Sequence, residues 1–130
     1  MILVDSSVWI DYFNGVETKQ TNFVYQEIGA VEFAIGDLIY GEVMQGFKAD
    51  RDFQIGHDFF EDIPFLLLVN KELSLKSAQN YRFLRKKGIT IRKTIDCFIA
   101  TFCIEKRLPL LQSDKDFEPF VEHLGLKSIF

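Results

Sequence analysis

Five short apolar runs, each separated from the next by a longer stretch with helical spacing, constrain this 130-residue chain more than any other feature. The runs are MILVD at the N-terminus, VEFAI after Gly29, FLLLV after Pro64, LPLLQ around Pro109 and KSIF at the C-terminus. Between the first three, the spacing predicts a helix from near Val8 with Ser6 and Ser7 as caps, one from about Lys19 to Ile28, DLIYGEVMQGF with Asp37 as cap, and one from about Arg51 to Glu61. Further helices are expected from 71 to 87, ending at Gly88, from 95 to 107, and from Asp116 to His123. Strands alternating with helices imply a mainly parallel sheet, because parallel neighbours need long crossover connections and cover on both faces. The expected class is α/β, a single domain over residues 1–130 with helices on both sides of the sheet. Ligands of such open sheets bind beyond the carboxyl ends of the strands, the edge to which this pattern assigns Asp5 and Asp114.

Four acids stand where solvation alone does not account for them. IDCFIATFCI is apolar nearly all round, yet Asp96 interrupts it in its first turn. An unpaired carboxylate in apolar surroundings costs several kcal/mol, so Asp96 must be protonated, paired, bound to backbone amides as a cap, or bound to a cation. Glu42 falls four residues after Leu38 and three after Ile39, on the face of its helix that turns inward, where an Arg partner or a cation would satisfy it. Asp5 and Asp114 follow strands directly and could serve as turn residues. Jointly, two strand-end acids and two inward helix acids can converge on one cleft. Carboxylates so gathered repel one another unless a cation sits among them, and an oxygen-only donor set suits Mg²⁺ or Mn²⁺ rather than zinc. Asp116, two residues beyond Asp114, could replace or support it.

Charge is distributed unevenly. The net charge of −4 divides into −9 for residues 1–62 and +5 for residues 63–130, and no acid occurs between Leu73 and Ile95. Arg82, Arg85, Lys86, Lys87, Arg92 and Lys93 lie within that stretch and are candidates to hold a nucleic-acid backbone, with a solvated helix face as the alternative. His57 and His123 are too isolated for paired-histidine catalysis, Trp9 and the 14 Phe suit a core or a dimer surface better than base stacking, and Asp11 reads as solvated. Cys97 and Cys103 lie six apart in one predicted helix, too far to cross-link, and are expected as reduced core residues. No stretch approaches the roughly 20 apolar residues of a membrane span, and Asp5 interrupts the opening run before a signal-peptide core forms, so a cytoplasmic location is expected.

In order and spacing, three segments are similar to the PIN-domain nucleases, and within them to the VapC-type toxins of toxin–antitoxin pairs. LVDSSVWIDYF resembles the opening strand of that family and points to Asp5 and Ser6. GDLIYGEVMQGF resembles the second motif and carries Glu42; TIDCFIATFCIEKRLPLLQSDKDF resembles the third and fourth, with Asp96, Asp114 and Asp116. The resemblance covers almost the whole chain. It implies a PIN-like α/β/α sandwich, metal-dependent cleavage of RNA, frequent homodimers, and neutralisation by an antitoxin that reaches the active site. QSDKDF departs from relatives that carry Asn or Thr before the final Asp-Phe, which leaves Asp114 and Asp116 as alternatives for the fourth acid. Two other functions compete: a PIN-fold module that binds RNA or protein without cutting, and a phosphoacceptor domain. The phosphoacceptor would call for adjacent acids where Ser6 and Ser7 follow Asp5.

Overall fold

The computed structural model describes residues 1–130, and each of the five apolar runs contributes a strand: Ile2–Val4 (β1), Phe33–Gly36 (β2), Phe65–Leu66 (β3), Leu110–Leu111 (β4) and Ser128–Ile129 (β5). Every pairing is parallel, in the order β3-β2-β1-β4-β5. β1 is central, with Leu3 in register with Ala34 on one side and Leu110 on the other. Leu3, Val4, Ile35, Leu110 and Leu111 are fully buried, as a parallel sheet covered on both faces requires. Burial of each such side chain is worth roughly 1.5–3 kcal/mol.

The cover is supplied by seven helices: Ser6–Phe13 (α1), Lys19–Glu27 (α2), Asp37–Gln45 (α3), Asp50–Phe60 (α4), Lys71–Lys86 (α5), Thr94–Lys106 (α6) and Glu118–Leu124 (α7). A 3₁₀ turn, Lys115–Phe117, leads into α7. The apolar character of α6 all round is explained by its place in the core, where Cys97, Ile99, Ala100, Thr101, Phe102 and Cys103 are all buried. Both cysteines are free thiols there. No helix is long and apolar enough to cross a membrane.

Two caps differ from expectation. α1 begins at Ser6, and its cap is Asp5, whose carboxylate accepts the Ser7 N–H; the serines lie inside the first turn. Asp37 likewise sits inside α3, after the N-cap Gly36. Its Oδ1 accepts from the N–H of Leu38 at 2.8 Å and from that of Leu68 at 3.1 Å. That second bond takes the Leu68 amide out of the ladder, so FLLLV gives only a two-residue strand. Leu68 packs so closely over Gly36 that an added Cβ would lie 2.5 Å from its Cδ1, which explains a glycine at this strand end.

Trp9 is fully buried and organises an aromatic cluster. Its ring stands edge-on to Tyr12, Phe59 and Phe60 at centroid separations of 5.9, 5.8 and 5.2 Å. The tryptophan is therefore a core residue that joins α1 to α4.

Candidate active site

At the carboxyl edge of the sheet, the end of β1 supplies Asp5. Being the cap of α1, its carboxyl is drawn to the helix N-terminus: Oδ2 accepts from Ser7 N–H at 3.1 Å and from Ser7 Oγ at 2.6 Å. Oδ1 is buried and has no hydrogen-bond partner, although the residue is only 3% exposed. The Ser7 hydroxyl in turn accepts from Ser113 N–H at 3.3 Å and so ties the end of β1 to the segment after β4. In the sequence both serines read as caps, and the PIN resemblance singles out Ser6. In the structure Ser6 Oγ donates to Glu42 Oε1 at 3.4 Å, and Ser7 is the partner of Asp5. Ser7 was legible as the second residue of a helix whose cap is an acid.

Glu42 projects from α3 and is half-buried. Asp96 occupies the first turn of α6, is 6% exposed, and leaves its Oδ2 buried without a partner. Asp114 caps the 3₁₀ turn, accepting Asp116 N–H at 2.9 Å, while its own N–H donates to Gln112 Oε1 at 2.7 Å. That turn brings both acids to α6. Asp96, Asp114 and Asp116 each offer a carboxylate oxygen within 4.8 Å of the others. Asp114 and Asp116, alternatives in the sequence, are thus neighbours in one group. Asp5 and Glu42 stand outside this closest group; the Asp5 charge acts on Asp96 and on Glu42.

Burial is the main reason the Asp5 carboxyl is harder to ionise than usual; the Asp114 charge adds to it and the Ser7 and Ser6 hydrogen bonds oppose it. Glu42 is raised by burial and by Asp5, against the Ser6 bond and Lys93. For Asp96, burial together with Asp5, Asp114 and Asp116 pushes the pKa from 3.8 to about 7, with Lys93 opposing. A cation among these acids would offset the cost of ionising Asp5, Glu42 and Asp96. Two buried carboxylate oxygens without partners are the feature a metal ion would remedy, since oxygen-only donors match a hard divalent cation.

The basic stretch divides in two. Arg82, Arg85, Lys86 and Lys87 are exposed on the last turns of α5 and just beyond, with Arg85 over the Tyr81 ring and Lys87 over the Phe83 ring. Arg92 and Lys93 instead turn onto the acids: Arg92 Nη2 lies 3.2 Å from both Asp116 oxygens, and Lys93 Nζ 3.7 Å from Asp114 Oδ2. They are not free phosphate contacts in this conformation. His123 is exposed and His57 half-exposed, in α7 and α4, and neither belongs to the cluster.

The sequence profile of the PIN domain matches residues 2–120. The chain belongs to the PIN-domain family. Ribonuclease VapC11 of Mycobacterium tuberculosis is 27% identical to this PIN domain over 131 residues, 98% of this chain and 97% of that protein. Ribonuclease VapC1 of Methanocaldococcus jannaschii is 29% identical over 126 residues, 97% of this chain and 85% of that protein. Among solved structures, VapBC2 from Rickettsia felis, bound to a DNA fragment from its promoter, superposes with a TM-score of 0.77 at 17% identity, covering 99% of this chain and 98% of the other. FitAcB from Neisseria gonorrhoeae gives 0.76 at 15% identity, over 100% and 97%. These superpositions show that the parallel sheet and its helices are the fold of that group.

Proposed function

We infer that this PIN domain is a divalent-metal-dependent endoribonuclease and the toxin of a toxin–antitoxin pair. One observation carries the reading: Asp5 Oδ1 and Asp96 Oδ2 are buried and unpartnered within a set of five acids, at the sheet edge where ligands of open α/β sheets bind. The ribonuclease names of its relatives supply the substrate class.

Asp96, Asp114 and Asp116 would hold Mg²⁺ or Mn²⁺, with Asp5 and Glu42 adding negative charge around it. The chemistry the ion supplies when bound is acidification of a water and neutralisation of charge on the scissile phosphate. The chain itself does the positioning. Ser7 fixes the rotamer of Asp5 and its distance from the segment after β4, and Ser6 holds Glu42 toward α1. Groups that orient metal-binding carboxylates typically matter 10–100-fold. Ser7→Ala is therefore expected to lower the RNA cleavage rate by about 10–100-fold with an unchanged circular-dichroism spectrum; a rate within twofold of wild type would remove Ser7 from the machinery.

Arg82, Arg85, Lys86 and Lys87 would hold the RNA backbone as a sequence-independent positive surface. The partners implied are a small antitoxin, in keeping with neighbours solved as toxin–antitoxin complexes, and a second copy of this chain, in the cytoplasm. Exposed Leu67, Val69 and Leu75 offer apolar surface that an interface would cover.

The deciding experiment incubates the protein with RNA and Mg²⁺ or Mn²⁺. Defined fragments are expected, none after chelation with EDTA, and none with Asp5→Asn. Cleavage that persists in EDTA or in the variant would sink the metal mechanism. RNA of unchanged length after long incubation with Mn²⁺ would favour a binding module that does not cut.

A further inference from the structure

The connection between α5 and α6 is anchored by a buried side chain and exposed at its charged tips. Gly88, at φ 83°, ends α5, and Ile91 is buried in the core. The next two side chains reach the acids, Arg92 to both oxygens of Asp116 and Lys93 to Asp114. Both acids belong to the three-carboxylate group. The Lys93 charge also eases the ionisation of Glu42 and Asp96, so it acts on the cluster as a whole.

The partners differ sharply in exposure. The side chains of Arg92 and Lys93 are 77% and 60% exposed, against 18% and 27% for Asp116 and Asp114. The acids are held by the 3₁₀ turn, whereas the cationic heads sit at the ends of flexible stems with solvent around them. Ion pairs so exposed are weak individually and easily displaced. A divalent cation would compete for the same oxygens with twice the charge.

We propose that Arg92 and Lys93 form a displaceable cationic strap. They neutralise Asp116 and Asp114 while no divalent cation is bound, compete with that cation for the two carboxylates, and are released when it binds. The proposal rests on the metal-dependent reading of the site. Release leaves two cationic heads beside a loaded cluster, where the phosphates of the substrate must approach. Metal loading and RNA binding are then coupled, and the coupling is reciprocal: RNA that takes the strap raises metal affinity by the factor by which metal raises RNA affinity.

The test is a Mn²⁺ titration of the full chain, with free Mn²⁺ read by electron paramagnetic resonance. It compares wild type, the double variant Arg92→Gln/Lys93→Gln, and Lys115→Gln as a control for general charge, since Lys115 lies between Asp114 and Asp116 in sequence and makes no ion pair. Loss of two exposed ion pairs predicts about three- to tenfold tighter Mn²⁺ binding in the double variant. The Lys115 variant should change affinity less than about twofold, and the exchange Arg92→Lys/Lys93→Arg should keep wild-type affinity because it preserves the strap's charge. Mn²⁺ bound by wild type but no more tightly by the double variant than by Lys115→Gln would overturn the strap and leave the nuclease reading standing. Wild type that binds no Mn²⁺ would overturn both.

Discussion

Asp96→Asn is expected to abolish Mg²⁺-dependent RNA cleavage while making the metal-free protein more stable at pH 8. The two effects have one cause. Asp96 sits in an apolar helix turn among Asp5, Asp114 and Asp116, and its carboxyl titrates near 7 rather than at 3.8. A folded pKa above the unfolded value means that the folded state binds the extra proton between about pH 4 and 7. The stabilisation this gives is full below the unfolded value and is lost as pH rises through 7. Without metal, wild type should therefore melt at a lower temperature at pH 8 than at pH 5, and Asp96→Asn should lose much of that difference. The expected gain at pH 8 is on the order of 1–3 kcal/mol, below the full linkage value because Asp96 also interacts with the raised carboxyl of Asp5. Added Mg²⁺ should raise the melting temperature of wild type at pH 8, by linkage to the folded state alone, and leave the variant unmoved. Cleavage should fall at least about 100-fold, since on the proposed reading a ligand and not merely its support is removed. Thermal melts at both pH values, with EDTA and with Mg²⁺, read all of these effects. A variant that melts below wild type at pH 8 in EDTA would show that Asp96 is a satisfied core acid instead.

Trp9→Ala should cost about 3–5 kcal/mol, as expected for truncation of a fully buried aromatic side chain. The indole joins α1 to α4 through edge contacts with Tyr12, Phe59 and Phe60, and α1 carries Asp5 as its cap and Ser6 and Ser7 in its first turn. Loss of the ring therefore loosens the support of the acidic site as well as the core. Trp9→Phe should cost much less. It keeps an apolar ring in the cluster, and the indole N–H it removes is buried without an acceptor. Denaturant titrations give both values, with a shift in midpoint at constant slope. Equal losses in the two variants would mean that the cluster depends on the full indole volume.

Much of the fold was legible because its signals are local. Alternation of short apolar runs with helical periods implies parallel strands, and all five runs contributed a strand. Strand lengths were not legible, as FLLLV shows. Its last three residues lie outside the strand, and Asp37, 31 positions away from Leu68, accepts the Leu68 amide that would extend it. No window around either residue contains that bond. The caps of α1 and α3 were displaced for a related reason: the strand-end residue itself, Asp5 or Gly36, takes the cap, and the polar residues after it fall inside the helix.

The candidate site followed the same division. Asp96 and Glu42 stood out in the sequence because an acid on an apolar helix face is costly wherever that helix packs. Asp5 and Asp114 stood out because a strand order implies a strand edge. The sequence by itself determined the class of fold, the edge at which acids collect, and the oxygen-only character of their donors, since these depend on residue type and period. Only the tertiary structure decided that Asp114 and Asp116 both join Asp96, that the Ser7 hydroxyl turns to Asp5 and the Ser6 hydroxyl to Glu42, and that Arg92 and Lys93 fold back on the acids. Those are distances of a few ångströms between segments up to 106 residues apart, set by how α1, α6 and the turn after β4 pack against one sheet edge. Spacing along the chain carries no record of them.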